Sequence, residues 1–266
     1  MNPDAGTISI LYTKFMIGIL IFVRISGMFL TAPFFKSIAI MPQIKVFLAA
    51  LIAVSMTDAY WQSQPTFDFH LWSLVFYVFK EFTVGAIIGF SANMVFHSAR
   101  MAGGLIDFEM GFQAASVFDP ASNNPTLIGE LKDLIALMMF LIINGHHQLI
   151  EVVYASIRAV PLTTFAFSEP TYLLLIKYIT TVFILAIKIA APVLIALFST
   201  NLALALLARV APQTNIFIVS FQLKVAVGLL MLFVSVPLLV YVIKWALGSM
   251  QEQSMQMIMT LYPPRV

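Results

Sequence analysis

Cysteine is absent from all 266 residues, which excludes disulfides, thiol nucleophiles and thiolate metal sites together. Charge is scarce: Asp, Glu, Lys and Arg make up 10% of the chain, against roughly 25% in a soluble domain. The formal balance is +2, and the basic residues stand singly rather than in a patch, so no nucleic-acid partner is expected. No GxxxxGK[ST], HExxH or GxSxG occurs, so nothing points to nucleotide hydrolysis, zinc peptidase or serine hydrolase chemistry. If something is moved here, another protein supplies the energy.

What fills the chain is apolar: 61% of residues, with a mean hydropathy of +0.98. That composition predicts an all-α integral membrane protein, since only helices and closed barrels satisfy their backbone in lipid. A crossing helix needs about 20 mostly apolar residues. Six stretches approach this, at about 8–31, 43–57, 70–99, 127–157, 171–208 and 214–247. They are irregular. The second is short, the fourth is interrupted by Asn144-Gly145-His146-His147, and Pro192 and Pro237 lie inside the last two. The N-terminus has no basic n-region followed by a small-residue cleavage pattern, so the first helix is expected to be retained. Lys36 and Lys45 favour an inside first loop and an outside N-terminus.

Several charges fall inside these apolar stretches: Arg24, Lys80, Glu81, Lys177, Lys188 and Lys224, with Arg209 just past the fifth. Each charge at a bilayer centre costs about 2.5–3.5 kcal/mol on insertion scales. Arg24, Lys188 and Arg209 are therefore expected to be buried against protein, or the helices to leave the bilayer plane. Snorkelling of Lys177 and Lys188 towards opposite helix ends is the alternative. Glu81, Gly85, Gly89, Asn93 and His97 recur every four residues. Such a stripe of small and polar residues serves close helix packing. A direct proton relay between Glu81 and His97 would have to span about 24 Å of helix and is not expected.

Two constellations suggest chemistry and fall short of it. Asp107 and Glu109 are two apart, which on a helix points them to nearly opposite sides, not into an acid–base dyad. His147 and Glu151 could share a helix face, but two ligands do not make a metal site. No catalytic residue, metal or cofactor is expected.

The segment AGGLIDFEMGFQAASVFDPASNNP (102–125) stands apart. Gly103, Gly104 and Gly111 permit unusual backbone angles. Asp119-Pro120 and Asn124-Pro125 are turn signals, and a helix should restart soon after Asn124. Irregular backbone at membrane depth is tolerated only against protein or a water-filled cavity. A re-entrant or plugging loop fits this better than an ordinary surface loop, and its glycines are the expected hinges.

Taken in order, FVRISGMFLTAPFF (22–35), KEFTVGAIIGF (80–90), AGGLIDFEMGFQAASVFDP (102–120), NGHHQLIEVVYASIRAVP (144–161) and ARVAPQTNIFIVSFQLKVAVGLL (208–230) resemble the FliR family. Those proteins are core components of the flagellar type III export gate at the bacterial inner membrane and flagellar basal body. The related subunit of virulence secretion systems is the alternative, as, further off, is a secondary transporter for a small substrate. The resemblance implies kinked helical hairpins around a central plug loop, in a helical hetero-oligomer with FliP-like and FliQ-like subunits and an FlhB-like one. It implies a seam near 166–172 between a FliP-like N-terminal portion and a FliQ-like hairpin. It implies passage of unfolded export substrates rather than catalysis. On matching positions the plug comprises Asp107, Phe108, Glu109, Met110, Gly111, Phe112, Gln113, Val117, Phe118, Asp119 and Pro120.

Overall fold

Proline, glycine and asparagine set where the helices begin and break. In the computed structural model, which describes residues 3–36, 41–65, 70–112, 126–213 and 215–261, every regular element among the described residues is helical. Helix α1 (Pro3–Thr31) is followed by the single turn α2 (Pro33–Lys36) and by α3 (Pro42–Tyr60). α3 opens on proline, whose missing N–H costs nothing in a first turn, and runs into a short 3-10 turn, Trp61–Ser63. α4 (Leu71–Met110) is 40 residues long and contains no proline. After Asn124-Pro125, helix restarts at α5 (Leu127–Ile142). α6 (Gly145–Ala159) follows at once, separated by Asn144 at φ 58°, a left-handed value that asparagine tolerates. α7 (Glu169–Val210), α8 (Ile216–Gly248) and α9 (Met250–Thr260) complete the chain.

Among the described residues, five stretches are long and apolar enough to cross a membrane: Ile10–Thr31, Pro42–Ser63, Trp72–Met110, Glu169–Val210 and Ile218–Thr260. The architecture is that of an all-α membrane protein. The expected fourth span, 127–157, is not one helix. The left-handed Asn144 divides it into pieces of 16 and 15 residues, each shorter than the roughly 20 a crossing requires.

The chain forms two compact units interleaved along the sequence: residues 1–93, 144–177 and 249–266 in the first, and 94–143 and 178–248 in the second. Neither follows a division at 166–172, although the non-helical stretch 161–168 does end where α7 begins. In the first unit α1 packs on α3, and α6 on α9. Its core takes Ile17, Leu20, Ile21, Ile25 and Met28 from α1, apolar positions three or four apart on one helical face. In the second unit α5 packs on α8, and Phe96 meets Phe140 edge to face with centroids 5.7 Å apart. Much apolar surface stays uncovered, including Phe183, Ile187, Phe198, Phe233 and Trp245, all about half exposed or more. In a soluble protein such faces would be a liability; on membrane helices they are the surface that lipid or partner helices cover.

Candidate functional site: a buried charge cluster and a pinned loop base

In the first unit, three polypeptide segments converge on Arg24. Its side chain and that of Glu81 are completely buried, and Arg24 Nε donates to Glu81 Oε2 at 2.6 Å. The remaining guanidinium nitrogens donate to Ser156 Oγ at 3.2 Å and twice to the carbonyl of Val160 at 3.1 Å. Glu81 uses its other oxygen to accept the backbone N–H of Thr163 at 2.7 Å, and Lys80 Nζ donates to the Thr163 carbonyl at 3.1 Å. Gln64 Oε1 accepts the Leu162 N–H at 2.9 Å.

The loop after α6 is therefore held by side chains from α1, the α3 exit and α4. The restraint is needed: Thr163 sits at φ 69°, a left-handed conformation that is strongly disfavoured for a β-branched residue. The energetic logic is that of a buried ion pair. Two charges out of water are tolerable only when paired and when their remaining hydrogen-bonding capacity is filled, as it is here.

The glycine stripe of α4 lies against α1. A Cβ added at Gly85 would collide with the Arg24 carbonyl oxygen, with the Arg24 carbonyl carbon at 2.8 Å and the Met28 nitrogen at 3.0 Å also too near. At Gly89 it would collide with Thr31 Oγ1 and lie 2.6 Å from the Met28 carbonyl oxygen. Asn93 donates its amide to the Thr31 carbonyl at 3.0 Å. The same stripe that brings the two backbones together thus places Glu81 opposite Arg24.

In the second unit, α4 remains helical through Asp107, Phe108, Glu109 and Met110, where the sequence led us to expect irregular backbone. Gly103 and Gly104 are therefore not hinges. Gly103 lies directly on the backbone of Gly129, a contact that any side chain would block. The helix stops at Gly111, which takes φ +85°, and Phe112 follows in a turn. Gln113, Val117, Phe118, Asp119 and Pro120 lie outside the described residues.

Asp107 is fully buried and reaches across to the start of α5. Its oxygens accept the Ile128 N–H at 3.1 and 3.2 Å and the Gly129 N–H at 3.5 Å. These are the open N–H groups of a helix N-terminus, where a carboxylate is also favoured by the helix dipole. Met110, also fully buried, fills the space beside Gly228 on α8, where a Cβ would meet its thioether at 2.7 Å. Phe108 is 68% exposed. The two ends of the 111–126 segment are therefore fastened to one another at its base. Asp107→Ala should lower stability by about 1–2 kcal/mol, and Asp107→Asn by less because an amide oxygen still accepts. Thermal unfolding of both variants in detergent checks this, and wild-type stability for Asp107→Ala would contradict it.

Two charges expected to be buried are not. Lys188 and Arg209 are exposed, because no described residue of this chain covers the faces of α7 that carry them. Lys132 went unnoticed in the sequence and is 2% exposed, and burial pushes its ammonium down to about 8. Its neighbour Asp133 is engaged by Arg100. The His146 and His147 rings lie tilted against one another with centroids 4.3 Å apart, and Gln251 donates to Glu151 at 3.3 Å. Among the described residues no three His, Cys, Asp or Glu side chains gather in a metal-holding group.

Comparison with known proteins extends over almost all of this framework. The model of the bacterial export proteins, family 1, matches residues 15–250. The flagellar biosynthetic protein FliR of Bacillus subtilis is 34% identical over 234 residues, covering 85% of this chain and 88% of its own. FliR of Escherichia coli is 30% identical, covering 81% and 82%. The surface presentation of antigens protein SpaR of Shigella flexneri is 27% identical, covering 80% and 82%.

Proposed function

This chain belongs to the bacterial export proteins of family 1, and from that premise we propose that it is a pore-forming subunit of a flagellar type III export gate. The match over residues 15–250 carries the reading, since it spans both compact units rather than one motif. In this reading the protein sits in the bacterial inner membrane at the flagellar basal body and serves flagellum assembly by passing unfolded substrates. It assembles with FliP-like, FliQ-like and FlhB-like subunits, α7 and α8 forming the FliQ-like hairpin after the seam near 166–172. It catalyses no reaction. The exposed apolar faces, and Lys188 and Arg209, are the surfaces such neighbours would cover.

The segment from Asp107 to Pro120 is the proposed plug. What supports it is the base: Asp107 and Met110 anchor one stem to α5 and α8, and the backbone turns at Gly111. A plug fixed at both stems can move at its tip without disturbing the helices. Buried Asp107 and Met110 then hold the loop, while Gly111 onwards does the closing.

Co-expression with neighbouring export genes, gentle solubilisation and native mass spectrometry test the assembly. A hetero-oligomer with one copy of this chain is expected, and a monomer or simple homodimer would sink the proposal. Deleting Gly111–Ser116 in the assembled complex should make the membrane leak ions and small solutes. Unchanged permeability would count against the plug. SpaR supplies a second reading, the virulence counterpart. Restored swimming in a strain lacking its own flagellar subunit separates the two.

A further inference from the structure

Where α3 and α6 end, entirely within the first unit, a cavity of about 440 Å³ lies between the 3-10 turn after α3 and the last turn of α6. Ala59, Ile157 and Pro161 supply its apolar wall. Its polar lining consists of donors. Arg158 is exposed, with its guanidinium carbon 5.2 Å from the Tyr60 ring centroid and 5.9 Å from that of Tyr154. The two rings themselves meet edge to face at 4.9 Å. Aromatic faces attract a guanidinium without consuming its N–H groups. Arg24 and Arg100 each hold a carboxylate, but Arg158 holds none among the described residues. Gln64 gives its carbonyl oxygen to the Leu162 N–H at 2.9 Å, which fixes the amide and leaves its NH2 to donate. The Tyr60 hydroxyl is buried with no hydrogen-bond partner, a state that native structures seldom leave unanswered. Among the described residues, no Asp or Glu lines the cavity.

We propose that this cavity binds the carboxylate of an Asp or Glu side chain on a partner polypeptide, with Arg158 and the Gln64 amide as its donors. Charge and shape select this occupant. A guanidinium presents paired N–H groups in a fork that a carboxylate matches bidentately. An acceptor arriving at Arg158 also offers the Tyr60 hydroxyl the partner it lacks. One cation is all the cavity holds, and it lies at the C-terminal ends of α3 and α6, the negative ends of both helix dipoles. A phosphate dianion is therefore poorly matched, whereas a single negative charge balances Arg158. Size argues for a side chain over a free small acid. A carboxylate alone would leave most of the 440 Å³ empty, while a residue brings its methylenes and its neighbours against Ala59, Ile157 and Pro161. The proposal rests on the reading that this chain assembles with other subunits, and on neither the pore nor the plug.

Arg158→Lys keeps the charge and supplies a primary amine for the test. The full-length variant, co-expressed with neighbouring export genes, is treated in its membranes with a water-soluble carbodiimide. That reagent joins an amine to a touching carboxylate, taking up the water lost as the amide forms. Mass spectrometry of the digest should find an isopeptide bond from position 158 to an Asp or Glu of another polypeptide. Lys14 and Asp58, 3.6 Å apart and both accessible, should couple in the same sample and report that the reagent reached the protein. That internal link without one from position 158 would overturn the site. A link to a carboxylate of this same chain would show the cavity filled from within, and a small-acid adduct would remove the polypeptide as occupant; either overturns the proposal. Native mass spectrometry of the untreated complex reads assembly separately, so partners retained without a link reject this site alone. Arg158→Ala should weaken retention of the linked partner by about tenfold, the loss of one charge-assisted hydrogen bond. Thermal unfolding should hardly move, since Arg158 is exposed. Exchanging the charges, Arg158→Glu here and Lys for the linked acid, should restore retention, and failure to restore it would also overturn the site.

Discussion

Glu81→Ala is expected to be the most damaging charge removal in this protein, costing about 3–5 kcal/mol. The loss exceeds that of one contact because of what remains. Arg24 would keep a guanidinium at zero exposure with only Ser156 and the Val160 carbonyl as neutral partners. Thr163 would lose the acceptor of its N–H while still forced to a positive φ. Against a total stability of about 5–15 kcal/mol, such a cost threatens folding itself. In detergent the midpoint of thermal unfolding should fall by about 10–15 °C, taking about 2–4 °C per kcal/mol for a chain of this size. Glu81→Gln should fall between, since an amide oxygen can still accept from Thr163. The decisive variant is Arg24→Met with Glu81→Leu. Removing both charges removes the stranded ion, so the pair should be markedly less damaging than Glu81→Ala. If the double variant is as unstable as the two single losses added together, the cluster acts as packing and not as an ion pair.

The same cluster shows which parts of the molecule could be read from the sequence. That Arg24 and Glu81 are costly in lipid follows from hydropathy alone, because each interrupts an apolar run. Their pairing does not, for they are 57 residues apart, and Ser156 is 132 from Arg24. Local backbone punctuation was legible where it was covalent. Asn144-Gly145 breaks helix as its conformational freedom suggests, and helix resumes at Leu127, shortly after Asn124-Pro125. Gly103 misled for a physical reason. A glycine that loosens a chain and a glycine that lets two helices touch have identical sequence signals, and only Gly129, packed directly on it, distinguishes them. Thr163 carried no signal at all, since its strain is imposed by Glu81 and Lys80 from another helix. Lys132 was hidden by its charged neighbours in LIGELKDLIAL. Lys188 and Arg209 show the converse, because hydropathy marked them as costly in lipid while this chain leaves both exposed.

Gly85→Val should be the most damaging small-to-large change, and its mechanism differs from that of Glu81→Ala. The three atoms nearest a new Cβ at Gly85 all belong to backbone: the Arg24 carbonyl oxygen and carbon and the Met28 nitrogen. A side-chain tip can rotate away, but helical backbone can yield only by separating α1 from α4. Overpacking in a close-packed core typically costs about 1–3 kcal/mol and occasionally more, and two features push this site towards the upper end. Separation would stretch the 2.6 Å contact between Arg24 and Glu81, one helical turn from Gly85, and so loosen the ion pair. It would also lengthen the bond from Asn93 to the Thr31 carbonyl, now 3.0 Å. Gly104→Ala is the contrasting control on the same helix, because its Cβ would meet only the Thr126 methyl at 3.4 Å, an ordinary contact. Thermal unfolding should therefore drop sharply for Gly85→Val and hardly move for Gly104→Ala. Gly85→Ala, which adds the Cβ alone, should already be measurably destabilised. Equal stability of Gly85→Ala and Gly104→Ala would show that α1 and α4 do not touch as closely as described.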